Sequence, residues 1–329
     1  MPPLACERCG QRVFFRNDVC LACQTPLAFD PTRWRMVGLE AEPGTGGWRA
    51  LDDGRPVRPC AHRARGVCNW VCSHEGELCL ACELTCERPA DGDPLAQRQW
   101  AQAELAKRHL LVQLRERGLP VWAPDGAPPM AFAFLTPRQS ATPVMTGHAQ
   151  GRITLNLDEV DAVHRTQVQC AFSEAHRSVQ GHLRHESGHF FWDRLIAPDA
   201  QALADFRALF GDERQDYAQA LAAHHAHMAE GDPGPVPEAH ISHYAGSHPW
   251  EDWAETWAHD FMLVDAMAAH TPDTVQAWRE GRCPHDQLLA AWQEAAVHLN
   301  GVSRALGLAD RSEEHTSELQ SRLHLVCRL

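Results

Sequence analysis

The chain has no uninterrupted apolar run of the roughly 18 residues that a bilayer-spanning helix needs, which excludes an ordinary transmembrane segment. Its start, MPPLACERCG, lacks the basic stretch followed by an apolar stretch that marks a secretory signal. The expected compartment is therefore the cytoplasm, where thiols stay reduced. Basic charge is scarce: 30 Lys and Arg against 43 Asp and Glu leave a formal charge of −13, and the front of the chain has no basic run. A grip on nucleic-acid phosphates depends on cationic side chains, so nucleic acid is not an expected partner, and neither is a membrane. Tyrosine is nearly absent, with Tyr217 and Tyr244 the only two in 329 residues. The hydrophobic fraction of 44% is that of an ordinary globular protein, long enough for two or three domains.

Histidine and cysteine, in contrast, are plentiful, at 21 and 13 residues. Ten cysteines precede residue 87, and only Cys170, Cys283 and Cys327 follow. In a reducing compartment such clustering points to metal. Cys6, Cys9, Cys20 and Cys23 have the spacing C-x2-C-x10-C-x2-C of a zinc ribbon, with a short hairpin through VFF between the pairs. A module this small has little core, so bound zinc supplies most of its folding free energy. The second cluster reads CAHRARGVCNWVCSHEGELCLACELTC. Cys79 and Cys82 form one ligand pair and Cys60 with Cys68 is the preferred partner, while Cys72, Cys86, His62 and His74 compete. From Pro94 the composition changes to one long helix that stops at Gly118-Leu119-Pro120.

Residues 182–191, HLRHESGHFF, contain His185, Glu186 and His189 in the order H-E-x-x-H. The surrounding stretch 173–196 has helical apolar periodicity and no proline. On such a helix His185 and His189, four apart, share one face and one metal ion, with Glu186 beside them to polarise a metal-activated water. Upstream, GRITLNLDEV alternates Ile153, Leu155 and Leu157 as a strand, an edge with which an extended substrate would pair. Downstream, HYAGSHPWEDWAETWAHDF opens a helix at Pro249 and stacks Glu251, Glu255 and His259 at four-residue spacing. One acidic residue there can complete a zinc site, and the next can hold a ligating histidine through its second ring nitrogen.

Through CNW, TGHAQGRITLNL, HLRHESGHFFW and YAGSHPWEDWAETWAH, the chain up to residue 310 resembles a bacterial family of zinc-binding metallopeptidases with an N-terminal zinc ribbon. The Y-x6-E arrangement is also similar to the catalytic domains of anthrax lethal factor and the Mlc titration factor peptidase, zincins with a Glu ligand. Carried over, the resemblance implies that Glu251 is the third ligand and that Tyr244 faces the substrate carbonyl. Glu255 then supports a ligating histidine or replaces Glu251 as ligand.

The expected fold class is α+β: a mostly helical, zincin-like metallopeptidase domain over 94–310 with a short edge-strand sheet, behind a zinc ribbon over 1–30 and a second Cys-rich zinc module over 31–93. Residues 311–329 begin RSEEHTSELQS, which reads as the in-frame translation of a sequencing adapter and is set apart from the fold. The linker 197–248 should contain a helix at DAQALADFRALFG and a Gly/Pro-rich loop near 231–237. Several neighbouring residues have plainer readings. His176 and His182 are surface or supporting groups, HHAH at 224–227 is a solvated helix end, and Asp252 is a helix N-terminal charge. Trp250, Trp253 and Trp257 are core. The expected activity is hydrolysis of peptide or amide bonds with Glu186 as general base, with one catalytic and one or two structural Zn²⁺ ions. The expected partners are a peptide or protein substrate and a protein bound by the ribbons. The alternative is a zinc-ribbon binding or regulatory protein whose zincin domain is inactive or latent.

Overall fold

The computed structural model describes residues 4–44, 46–73, 75–121, 129–161, 178–231, 234 and 239–307. His74, Cys170, His176 and Cys327, most of the loop at 231–237, and the tail from 308 lie outside them. The chain is α+β and divides into two compact units, Met1–Arg115 with Leu119–Arg165, and Glu116–Gly118 with Thr166–Leu329.

The first unit begins with two tight turns, each carrying one C-x2-C pair. Gly10 N donates to Cys6 O at 2.8 Å and Gln24 N to Cys20 O at 2.8 Å. Both turn residues, at φ 73° and 59°, take the left-handed backbone that lets the chain double back after the second cysteine. An antiparallel meander follows, with β1 (Leu27–Asp30), β2 (Arg35–Ala41), β3 (Trp48–Ala50) and β4 (Pro56–Val57) in sequential order. The two cysteine clusters share one aromatic core. Phe29 lies 5.0 Å from Phe15 and 4.9 Å from Trp70, and Trp70 is fully buried. Asn69 Nδ2 reinforces the junction by donating to Phe15 O at 2.6 Å and Asn17 O at 3.0 Å. We expect Trp70→Ala to destabilise this unit by about 3–5 kcal/mol, the usual cost of emptying a large aromatic site. Urea unfolding of the zinc-loaded protein reads the effect, and an unchanged midpoint would refute a shared core.

After a short helix α1 (Leu80–Glu83), a second sheet has the order β5 (Thr85–Glu87), β6 (Ala131–Leu135), β8 (Arg152–Asn156), β7 (Gly147–Ala149). The alternating strand is β8, with Ile153 and Leu155 fully buried. It is paired on both sides, to β6 in parallel and to β7 antiparallel, so the sheet edge belongs to β7 and not to β8 as the alternation suggested. Gln150 and Gly151, both at positive φ, make the two-residue turn that folds β7 onto β8. The long helix α2 (Pro94–Glu116) has an unexpected buried face. Glu104 and Lys107, both fully buried, pair at 2.8 Å, and Lys107 also donates to Thr85 Oγ1.

The described part of the second unit is helical. α3 (Val179–Phe191) widens into a π turn over Trp192–Ile196, and α4 (Ala200–Phe210) and α5 (Tyr217–Ala229) follow. α6 (Pro249–His270), α7 (Pro272–Arg279) and α8 (His285–Ala305) complete it. Of the helix expected over 173–196, residues 173–177 lie outside the described residues; α3 begins at Val179, where Ser178 is extended and its Oγ accepts from Gly181 N at 3.0 Å as the N-cap. α6, α7 and α8 enclose an apolar core that includes Val264, Met267, Val275, Leu288 and Ala295. Among the described residues no helix is long and apolar enough to cross a membrane.

Candidate metal centre

Two helices build the centre, and their close approach depends on small residues. A Cβ at Gly188 on α3 would come within 3.1 Å of both Ala254 Cα and Trp257 Cγ on α6, so glycine lets the helices touch there. Two indoles then tie the crossing: Trp253 Nε1 donates to Gly188 O at 2.9 Å and Trp257 Nε1 to Ser187 Oγ at 3.0 Å. Both are buried, as the core reading of these tryptophans expects. Arg184 and Asp265 add an ion pair at 2.6 Å further along. On α6, His248 caps the first turn by accepting from Trp250 N at 3.1 Å, and Pro249 takes the first helical position, where its missing N–H costs nothing.

At the crossing, the structure brings His185, His189 and Glu251 together, with one ligand atom from each all within 4.8 Å of one another. Glu251 Oε2 lies 2.9 Å from His185 Nε2 and 3.6 Å from His189 Nε2. Glu255, one turn on, faces the other ring nitrogen of His185 at 2.9 Å and accepts from Ser242 Oγ at 2.9 Å. His185 thus has a carboxylate at each nitrogen, whereas a neutral imidazole carries one N–H. Burial opposes its protonation, yet the hydrogen bonds to Glu251 and Glu255 hold its pKa well above the ordinary histidine value in the metal-free protein. The carboxylates mirror this. Burial pushes Glu251 up, but His185 and His189 hold it well below the usual range, and Glu255, likewise desolvated, is drawn by His185 down to about 2. With the buried Glu186, three carboxylates surround two histidines. Such a site calls for a cation, and a divalent metal in place of the proton between His185 and Glu251 fits the donor set.

Tyr244 sits against this group, its ring 5.9 Å from that of His185. Burial, then the charges of Glu251, Tyr217, Glu186 and Glu255, push its hydroxyl pKa up, so it remains a donor. Tyr217, for which the sequence offered no role, donates its hydroxyl to Glu251 Oε1 at 2.6 Å. The rarity of tyrosine was the only hint, since both tyrosines of the chain meet here. Asp252 lies in the first turn of α6, as a helix N-terminal charge should, and is also buried, 1% exposed, and paired with His240 Nδ1 at 3.1 Å. One reading changes. Within HHAH, His225 and His227 are exposed, but His224 is half-buried with its ring 5.5 Å from Tyr244. His259 bonds its own helix, Nδ1 to Glu255 O at 2.8 Å, and is not among the converging groups; His182 is half-buried on α3.

In the first unit, Cys6, Cys9, Cys20 and Cys23 come together, and so do Cys60, Cys68, Cys79 and Cys82, each set with its sulfurs within 4.8 Å of one another. The described competitors, Cys72, Cys86 and His62, are not in that set. Cys72 is half-buried with its thiol pushed up to about 11 by burial, Cys86 is exposed and directs its Sγ to Phe132 O at 3.3 Å, and His62 packs 5.0 Å from Trp100.

Two four-cysteine clusters and a histidine–glutamate centre are the donor sets of a zinc-binding protein. The chain belongs to the family described as "Putative zinc-binding metallo-peptidase", whose model matches residues 96–328, and a zinc-ribbon domain matches residues 4–93. The chain is 35% identical over 314 residues to an uncharacterised protein of Mycobacterium tuberculosis (strain ATCC 25618 / H37Rv), covering 93% of this chain and 88% of that one. An uncharacterised protein of Mycobacterium bovis (strain ATCC BAA-935 / AF2122/97) is similar to the same extent, 35% over 314 residues, with the same 93% and 88% coverage. No solved structure matches.

Proposed function

We propose that the protein is a zinc-dependent peptidase with one catalytic zinc, held by His185, His189 and Glu251, and two structural zincs, held by Cys6, Cys9, Cys20, Cys23 and by Cys60, Cys68, Cys79, Cys82. The observation that carries the proposal is the convergence of two histidines and a carboxylate from α3 and α6 beside Glu186 and Tyr244. In this reading residues 94–310 form the zincin-like domain, 1–30 the ribbon and 31–93 the second zinc module. Residues 311–329 are adapter translation, and the protein works in the cytoplasm.

Zinc, when bound, supplies a Lewis acid that brings the pKa of water toward neutrality. The protein supplies the rest. Glu255 fixes the His185 ring through Nδ1 and so leaves Nε2 for the metal. Glu186 takes the proton from the attacking water and returns it to the leaving amine. Tyr244, kept protonated by burial and by the neighbouring carboxylates, donates to the oxygen that becomes negative as the carbonyl is attacked. Glu251 serves only to bind.

The test is a peptide library incubated with zinc-loaded protein and read by mass spectrometry for new amino termini. Cleavage at a reproducible set of bonds is expected. A fully metallated protein that cuts nothing would overturn the proposal in favour of a ribbon-based binding protein with an inactive zincin domain.

A further inference from the structure

The geometry points to Tyr217 as a positioning residue that makes Glu251 a one-oxygen ligand. The inference rests on the metal centre proposed above and goes beyond it, because Tyr217 lies outside every motif that suggested that centre.

The two oxygens of Glu251 have different surroundings. Oε2 faces the ring nitrogens of His185 and His189 at 2.9 and 3.6 Å. Oε1 accepts the Tyr217 hydroxyl at 2.6 Å, within the short range expected of a hydroxyl bound to a charged carboxylate. That bond orients the carboxylate so that a single oxygen points at the histidine pair. A peptidase needs this economy, since three protein atoms on the metal leave a position for water, whereas a carboxylate free to turn both oxygens inward would fill it.

The placement of Tyr217 is itself built. It is the first residue of α5, a helix none of whose residues is buried, so no apolar core holds that helix in place. Contacts at its N-terminus hold it, with the half-buried His224 ring 5.5 Å from that of Tyr244 further along. Asp216 caps the first turn by accepting from Gln219 N at 3.0 Å. The Tyr217 ring packs edge-on against His248 at 5.1 Å and lies 6.0 Å from Trp250. His248 accepts from Trp250 N through Nδ1, which leaves Nε2 as the protonated nitrogen donating to Gln215 O at 3.3 Å. The residue that starts α6 and so places Glu251 therefore also anchors the chain two residues before Tyr217. Tyr217 as a whole remains 38% exposed, so removing its hydroxyl disturbs no core.

The test uses full-length protein in which Tyr217→Phe keeps the ring and removes the hydroxyl. The first readout is zinc affinity of the centre, by competition with a chelator of known strength. A loss of about 10-fold or more is expected, the low end for removing a partner that orients a ligand. The second readout is visible absorption of cobalt-loaded protein after subtracting the spectrum of the His185→Ala, His189→Ala variant, which leaves the third site alone. A carboxylate released to bind through both oxygens raises the coordination number and weakens that band, a change that general loosening of α5 would not produce. His227→Ala, on the exposed face of α5, should match wild type in both. Unchanged affinity and an unchanged band in Tyr217→Phe would overturn this inference and leave the centre standing. Wild-type protein with no metal outside the cysteine sites would overturn both.

Discussion

Glu186→Gln is expected to lower peptide cleavage by about 10²–10⁴-fold, the range for removing a positioned general base, while the metal content per chain stays as in wild type. Gln has the same shape and keeps one oxygen acceptor, so the buried pocket is neither emptied nor crowded. What it loses is the ability to take a proton. Glu186 is not among the three converging ligand groups, so metal retention is the distinguishing half of the result. The substitution does remove one of the negative charges that favour a cation beside His185, so a modest fall in zinc affinity is expected, well short of emptying the site. Cleavage rates are compared at saturating zinc for this reason. A fall of less than about 10-fold would assign the proton transfer to another group.

The parts of this centre that were legible in the sequence are those fixed within one helix. His185 with His189, and Glu251 with Glu255, are pairs at i and i+4, and helix geometry alone puts each pair on one face. What presses the two faces together is not local. It depends on Gly188 lying against Ala254 and Trp257 and on two indole N–H groups finding Gly188 O and Ser187 Oγ across 65 and 70 residues of sequence. Ser242, which holds the far oxygen of Glu255, and Tyr217, which holds that of Glu251, belong to no spacing pattern, because each reaches the site from a separate element. Asp252 was legible as a charge in the first turn of a helix, but its burial and its pairing with His240 depend on a residue outside that helix. In the sheet, alternation located β8 but could not say that both its edges are covered, since pairing partners come from β6 and β7. The second cysteine cluster was ambiguous for a related reason: spacing supplied more candidates than positions, and chain direction between them decides which four sulfurs meet.

The His185→Ala, His189→Ala variant, with a chain ending at residue 310, is expected to carry about two zincs where wild type carries about three, and to lose cleavage altogether. The two kinds of site are independent of each other. The cysteine sets lie in the first unit and the histidine pair in the second, and neither set contributes an atom to the other. Loss of one equivalent with two retained therefore assigns one metal to the α3–α6 crossing and two to the thiolates. The fold of the second unit should tolerate the change better than the loss of two histidines packed against carboxylates usually allows. In the absence of metal the histidines serve to neutralise Glu251 and Glu255, and both carboxylates can instead take up protons as burial raises their pKa once the histidines are gone. Tyr217 and Ser242 still offer each carboxylate a hydroxyl donor. The sign of the pH effect follows: protonated carboxyls are favoured at low pH, so the variant should be more stable near pH 5 than near pH 8. A loaded wild-type site loses its metal as pH falls, because protons compete with the metal for its ligand atoms. Inductively coupled plasma mass spectrometry on both proteins, with thermal unfolding at the two pH values, checks the count and the sign together. An unchanged zinc count would remove the catalytic reading and leave the cysteine clusters as the metal sites of this chain.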